Sequence, residues 1–122
     1  MRLDGYEIGF ATCADPSQAG CTLDAAPNAA MWGVQYELSD DDMAKLDNAA
    51  GVQKGNWAHQ PVAVRDGAGN HVETTTFIIP DASGPHRPPE SYVAPIYKGA
   101  ADFDLPADYV ARLRQLIHQA QS

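Results

Sequence analysis

The sequence predicts a single α+β domain over residues 1–122. Apolar and polar residues alternate in several stretches before residue 80, as the side chains of a half-buried β-strand do. After residue 89, apolar residues instead recur every three or four positions, which is the spacing of one helix face. Hydrophobic residues make up 44% of the chain and charged residues 20%, so the chain can bury a core and does not have the composition of a disordered protein.

Three strands are predicted before the first helix. Gly5–Phe10 and Cys21–Asp24 are short stretches separated by a loop that contains proline and glycine. Asn28–Ala30 links the second strand to Met31–Leu38, which alternates most clearly and is expected to be the central strand of the core. Its predicted buried face consists of Trp32, Val34, Tyr36 and Leu38.

A helix is predicted to follow this strand directly. Ser39 is suited to the N-cap, and Asp42 lies three residues further on, as in a capping box. Asp40, Asp41 and Asp42 fall at the positive end of the helix dipole, which accounts for the acidic run without a bound cation. Gly51 is the expected terminator.

A β-hairpin is predicted next. Its strands are Trp57–Val64 and Val72–Ile79, and the residues of 65–70 are typical of a turn. Pro61 argues for an edge strand or a bulge, since proline cannot donate to a ladder. Residues 80–89 contain four prolines and form the longest predicted loop, a candidate rim for a pocket.

Two helices complete the predicted fold. The first covers Pro89–Ala101 and the second begins at Pro106, a residue that suits the first turn of a helix. The apolar stripe of the second helix consists of Tyr109, Val110, Leu113, Leu116 and Ile117.

Charge and composition restrict the function. The net charge is −8 and no basic patch is visible, so neither nucleic acid nor an anionic membrane is an expected partner. No apolar run reaches the length of a membrane span and no signal peptide is recognisable, so the expected location is the cytoplasm. Cys13 and Cys21 lack metal-ligand spacing and are interpreted as ordinary thiols; no metal is expected.

Five sequence motifs, in collinear order, resemble the gamma-glutamylcyclotransferase (AIG2-like) family. They are GYEIGF, CTLDAAP, MWGVQYELSDDDMAKLDNAAGV, GNW and PPESYVAPIYKGAADFDLPADYVARL, and from first to last they span residues 5–113, nearly the whole chain. The third motif joins a Trp-Gly-Val strand to a short acidic helix that ends in Gly-Val. The fifth joins a Pro-x-x-Tyr helix start to Leu-Pro-x-x-Tyr. These two motifs are the most specific.

The resemblance implies a small mixed β-barrel surrounded by helices, with a pocket at one end. It also implies a reaction that needs no metal or organic cofactor. Family members convert gamma-glutamyl amines into 5-oxoproline and a free amine, because the substrate's own amine attacks its gamma-carbonyl. The attack is intramolecular, so the protein must mainly supply a proton carrier and oxyanion donors.

The chain departs from the family pattern at two places. The catalytic glutamate of the family precedes the Gly-Val that ends the helix, and this position is Ala50 here. The Tyr-Gly-Ser-Asn loop and the first strand of the family have no counterpart in the sequence. The resemblance therefore implies a barrel that lacks its first strand, with an unpaired edge that another copy of the chain or another segment would cover.

The remaining pocket positions are candidates for binding a substrate. By position in the family motifs these are Trp57, Tyr92, Ala50 and Gly51. Asp47 lies one helical turn before Ala50, and His59 lies close to Trp57, so these two residues are the candidates for a relocated acid or base. Glu37 and Glu73 are further acidic candidates, on strands whose facing the sequence does not determine.

Three functions are compatible with this pattern. The first is a divergent enzyme that cyclises, isomerises or eliminates a small molecule in the barrel-end pocket. The second is a non-catalytic binding or assembly module, for which Ala50 and the missing loop argue. The third is an authentic gamma-glutamylcyclotransferase whose sequence is truncated or mutated. Release of 5-oxoproline from gamma-glutamyl amines separates the catalytic hypotheses from the second.

Overall fold

The computed structural model describes all 122 residues and has an α+β fold. The strands are β1 (Arg2–Thr12), β2 (Ala19–Trp32), β3 (Ala58–Arg65), β4 (His71–Ile78) and β5 (Ser83–Pro85). The helices are α1 (Asp40–Ala50), α2 (Glu90–Asp102) and α3 (Ala107–Gln121). The expected order of strands followed by two C-terminal helices is confirmed.

The five strands form one antiparallel sheet that does not close into a barrel. The order along the sheet is β2-β1-β3-β4, and β5 adds to one end of β1. The strands β1 and β3 pair only at Arg2 and Arg65, so the sheet opens along most of their length. The expected helices around a small sheet are confirmed, but the barrel of the prediction is open, because β4 pairs only with β3.

The main core lies between β1 and the two C-terminal helices. It consists of Phe10, Val93, Ala100, Leu113 and Ile117. The predicted stripe of α3 is confirmed, since Leu113 and Ile117 are buried and the other members of the stripe are half-buried. Each large apolar side chain that is fully buried contributes about 1.5–3 kcal/mol, so this cluster fixes α2 and α3 on the sheet.

The predicted boundaries of α1 are confirmed, and the predicted hairpin is present with each strand shifted by one residue. Ser39 Oγ accepts a hydrogen bond from the backbone N–H of Asp42 at 3.1 Å, and Gly51 ends the helix with a φ of 72°. The strands β3 and β4 pair without interruption along their whole length. The turn between them is closed where Asp66 N–H donates to the carbonyl of Asn70 at 3.0 Å.

The prediction of a strand over Met31–Leu38 is wrong beyond Trp32. Residues 33–39 have no regular structure, and Tyr36 is 64% exposed, not buried. The last ladder contacts are the two hydrogen bonds that Gly33 exchanges with Met1. No strand lies opposite residues 34–38, and an alternating sequence cannot form a ladder without a neighbour.

The first two strands are longer than predicted. Gly5–Phe10 lies within an eleven-residue β1, and the predicted link Asn28–Ala30 belongs to β2. The pairing of β1 with β2 is irregular between Asp4 and Tyr6, where Gly5 has a φ of 87°. This bulge lets the ladder continue past Pro27, which a regular ladder would not tolerate in its interior.

Candidate functional site

The two side chains proposed as a relocated acid or base are hydrogen-bonded to each other. The Oδ1 atom of Asp47 lies 2.6 Å from Nε2 of His59. The side chain of Asp47 is 28% exposed and that of His59 is 40% exposed, so a small molecule can reach the pair. An aspartate that holds an imidazole in this way fixes its orientation and its tautomer, as in enzymes that use histidine as a base.

The turn between α1 and β3 brings this pair together. The helix ends at Gly51, a single 3-10 turn follows over Val52–Lys54, and Gly55 has a φ of 78°. Both glycines adopt the left-handed conformation that side chains disfavour. The two left-handed residues turn the chain back, so His59, near the start of β3, lies beside the last turns of the helix.

The ring of His59 is also held from the adjacent strand. Phe77 is its cross-strand neighbour on β4, and the two rings meet edge to face with centroids 5.2 Å apart. Since an ionised carboxylate can only accept, the Nε2 atom of a neutral His59 carries the hydrogen that Asp47 binds. The Nδ1 atom then has a free lone pair with which to accept a proton.

Ala50 and Gly51 lie at the C-terminal end of α1. Ala50 is half-buried and offers only a methyl group where the resemblance expects a carboxylate. A Cβ atom added at Gly51 would come within 3.0 Å of the Asn56 amide nitrogen. Asn56 is buried, and its side-chain oxygen accepts from the backbone N–H of Asp15. The helix end is therefore tightly packed at Gly51 and chemically inert at Ala50.

Trp57 and Tyr92 meet at the backbone of β2. The hydroxyl of Tyr92 accepts from Cys21 N–H at 2.9 Å and lies 3.4 Å from Sγ of the same residue. The indole N–H of Trp57 donates to the carbonyl of Cys21 at 3.4 Å. The backbone N–H and C=O groups of Cys21 are thus both hydrogen-bonded to side chains. Binding of a substrate by Trp57 and Tyr92 stays a prediction.

The contact between these two aromatic residues and β2 depends on a glycine. A Cβ atom added at Gly20 would lie 2.6 Å from the hydroxyl oxygen of Tyr92 and 2.7 Å from Cζ2 of Trp57. Burial, reinforced by the hydrogen bond to the Cys21 thiol, raises the pKa of Tyr92 to about 12. The phenol therefore stays protonated and keeps its hydrogen-bonding role at neutral pH.

The two further acidic candidates stay apart from the Asp47–His59 pair. Glu37 is exposed in the irregular segment after β2. Glu73 lies on β4 opposite Ala63 and is exposed. Neither glutamate takes part in an ion pair.

A large apolar cavity, which we call the open trough, lies beside the free edge of β4. Its volume is about 530 Å³, and 13 of its 18 lining residues are hydrophobic. It is lined by residues 31–36 and Leu38, by Thr74–Phe77, by Met43 and Leu46 of α1, and by Met1, Leu3, Leu23, Val62 and Val64. No carboxylate or imidazole lines it. The sequence did not reveal this cavity, because the side chains of Val34, Tyr36 and Leu38 were predicted to lie in the core.

Nowhere do three or more histidine, cysteine, aspartate or glutamate side chains lie close enough to hold a metal ion. Cys13 and Cys21 are both free thiols, as predicted. None of the helices has the length and apolarity that a membrane crossing requires.

Comparison with known proteins identifies the fold and the family. The model of the AIG2-like family matches residues 30–113. A solved structure of a gamma-glutamyl cyclotransferase superposes with a TM-score of 0.83 at 22% identity, covering 93% of this chain and 69% of that chain. A human protein described as uncharacterized gives the same values in its crystal structure. Among curated protein sequences none matches significantly.

These matches define the class of protein: an α+β domain with the gamma-glutamyl cyclotransferase fold. Because the family model covers more than half of the chain, including α1, the β-hairpin and α2, this chain belongs to the AIG2-like family. The resemblance derived from the sequence motifs is thereby confirmed. At 22% identity the structural match is evidence for the fold alone.

Proposed function

We propose that this protein is a divergent enzyme of the AIG2-like family that cyclises a small amine-bearing amide at the end of the sheet. His59, held by Asp47, moves the proton in place of the glutamate whose position is Ala50. The observation that carries this proposal is the 2.6 Å hydrogen bond between Asp47 and His59. The two residues come from different elements and are both accessible, so their pairing provides a base where the family helix has lost its own.

The position of Asp47 supports this role. It precedes Ala50 by three residues on α1, so both side chains project from neighbouring turns of the same helix side. A base on Asp47 and His59 therefore lies close to the site of the lost carboxylate. Imidazole is also the side chain that most readily exchanges protons near neutral pH, whereas a carboxylate needs a special environment to do so.

The proposed reaction balances without a cofactor. The substrate's amine nitrogen attacks its own amide carbonyl carbon and forms a ring C–N bond. The Nδ1 atom of His59 accepts the proton that this nitrogen releases. When the tetrahedral intermediate collapses, the bond to the leaving amine breaks, and the leaving nitrogen takes that proton from His59. The Asp47–His59 pair ends in its starting state, ready for another turnover.

The test is release of 5-oxoproline from gamma-glutamyl amino acids and from glutathione. We expect turnover by the natural sequence. Replacing His59→Asn or Asp47→Asn should lower kcat by about 10²–10⁴-fold for the histidine and less for the aspartate, as for removal of a general base and of its orienting group. His71→Asn is the matched control, because His71 is exposed at the start of β4 and bonded to neither residue.

Two outcomes would overturn the proposal. One is the absence of 5-oxoproline from every substrate at high enzyme concentration. The other is turnover that His59→Asn leaves unchanged, since the proton would then move through another group. Circular dichroism of each variant shows whether the fold is retained, so that lost activity is not mistaken for unfolding.

A second candidate function is a non-catalytic binding or assembly module. The engagement of Trp57 and Tyr92 with the backbone of Cys21 favours it, because these side chains then serve the fold. The absence of any carboxylate or imidazole among the residues of the open trough also favours it. The 5-oxoproline assay separates the two functions. Location in the cytoplasm stays a prediction, which fractionation of cells that express the protein would test.

A further inference from the structure

The free edge of β4 faces the open trough. Four consecutive residues of this strand, Thr74–Phe77, line the cavity. On β3 only every second residue lines it, Val62 and Val64. Successive side chains point to opposite faces of a sheet, so a cavity next to a face touches alternate residues. A cavity that touches four in a row lies along the strand's edge, where backbone N–H and C=O groups have no partner.

The segment 34–38 also lies along the trough with its backbone unpaired. Four of these five residues line the cavity, and none of the five makes a backbone hydrogen bond. Its apolar side chains, at alternate positions, are exposed by 38% at Val34, 64% at Tyr36 and 42% at Leu38. The alternation that led us to predict a strand is therefore present, and only the neighbouring strand is absent.

One added strand could form backbone hydrogen bonds both with the edge of β4 and with the segment 34–38. Main-chain pairing with an exposed sheet edge, combined with alternate apolar side chains, is the known mode of β-strand addition. The trough carries no charged side chain among its lining residues, so the part of the strand inside it must be uncharged. Met1 also lines the trough, but its charged amino group is already bonded to the carbonyl of Gly33 and does not call for an opposite charge on the strand.

The charges around the trough determine which residues are favoured at the two ends of that strand. Four acidic side chains next in sequence to lining residues make no ion pair: Asp24, Glu37, Asp42 and Glu73. Asp47 is also next to a lining residue and is paired with His59. Arg2 and Arg65 are already paired with Asp4, which leaves Lys45 as the unpaired cation of this rim. A second copy of this chain, with its net charge of −8, would add acid to acid.

We propose that the open trough binds a β-strand of a partner protein, with uncharged side chains at alternating apolar positions and basic residues at both ends. The strand pairs with the outer edge of β4 on one side and with residues 34–38 on the other. This inference is independent of the catalytic proposal, since it rests on the edge of β4 and not on the Asp47–His59 pair.

The probe is a short blocked peptide in which valine and threonine alternate between lysines. Two matched peptides carry glutamate in place of lysine, or proline at the centre. Trp32 lines the trough, so its fluorescence reports binding, and amide hydrogen exchange locates the contact. We expect new protection at residues 34–38 and 72–77, affinity about tenfold higher for lysine ends than for glutamate ends, and no binding of the proline peptide.

A pair of protein variants completes the test. Val34→Lys with Leu38→Lys places like charge against the peptide at two exposed positions, so folding is retained while binding is lost. Gln53→Lys with Gln119→Lys makes the same change in net charge at exposed positions outside the trough and should change affinity by less than about threefold.

Three results would overturn the proposal. The first is no added protection of the β4 amides by the lysine peptide. The second is equal affinity for the glutamate and lysine peptides, which would contradict the proposal that the bound strand has basic residues at its ends. The third is concentration-dependent dimerisation that protects the same amides without peptide, which would assign the trough to a second copy of this chain.

Discussion

The two edges of the sheet are treated differently. At the β2 edge, both backbone groups of Cys21 are bonded to the side chains of Tyr92 and Trp57, and Pro27 lies further along the same strand. At the β4 edge no second strand pairs with the backbone over His71–Ile78. Unpaired edges invite association and are usually protected. The β2 edge is thus blocked at Cys21 and interrupted at Pro27, whereas the outer edge of β4 has no ladder partner.

The largest difference between the two edges is expected from adding a single methyl group. Gly20→Ala should destabilise the protein by about 1–3 kcal/mol, because the new Cβ meets Tyr92 and Trp57 in a packed site. Gly33→Ala is the matched change next to the open trough, where a Cβ meets nothing within 4 Å. Urea denaturation of both variants measures the contrast. Equal losses of stability would mean that the β2 edge is no more tightly packed than the trough.

The next largest effect on stability is expected from removing the Tyr92 hydroxyl, which accepts a hydrogen bond from the backbone of β2. Tyr92→Phe should cost about 1–2 kcal/mol, since the N–H of Cys21 loses its acceptor in a partly buried site. Tyr36→Phe removes a hydroxyl that is exposed and makes no hydrogen bond, and should change the free energy of unfolding very little. A loss in Tyr36→Phe as large as that in Tyr92→Phe would contradict this account of the β2 edge.

The same hydroxyl predicts a dependence on alkaline pH. The pKa of Tyr92 is raised from 10 to about 12 in the folded protein, so the protonated phenol is favoured by folding. Its contribution is complete below the unfolded pKa and is lost as pH rises from 10 towards 12. The stability gap between the natural protein and Tyr92→Phe should therefore narrow in this range. Urea titrations on both sides of pH 10 measure it, and a constant gap would contradict the pKa shift.

The smallest effect on stability is expected at the open edge. Thr75→Lys on β4 should change the free energy of unfolding by no more than about 0.5 kcal/mol, because the side chain is exposed. It should nevertheless weaken binding of the lysine-ended peptide, through repulsion at the edge. A stability loss comparable to that of Gly20→Ala would show that the β4 edge is not open in solution.

Local rules predicted the elements that are stabilised locally. The cap at Ser39, the stop at Gly51 and the hairpin turn of 65–70 depend on a few neighbouring residues, so their residue types sufficed. The stripe of α3 was equally predictable, because its period identifies the buried face. The segment 34–38 was not, since alternation specifies a strand's faces and a strand exists only where a neighbour pairs with it.

The candidate site shows the same division. Asp47 and His59 could each be named from the sequence as acid and base candidates, but their contact could not. It depends on two left-handed glycines and a 3-10 turn, which together determine the direction in which β3 leaves the helix. The contacts of Trp57 and Tyr92 with Cys21 were likewise beyond the sequence, because they join residues 36 and 71 positions apart.

The hydrogen bonds of Tyr92 and Trp57 to the backbone of Cys21 affect how many strands can be added to the sheet. A sheet with two open edges can add strands at both ends and grow into a fibre, as cross-β assemblies do. In the proposed binding mode one strand is added at β4, whereas the backbone groups of Cys21 on the opposite edge are already bonded and unavailable to a second strand. Tyr92 and Trp57 thereby oppose growth of the sheet from its β2 edge at Cys21.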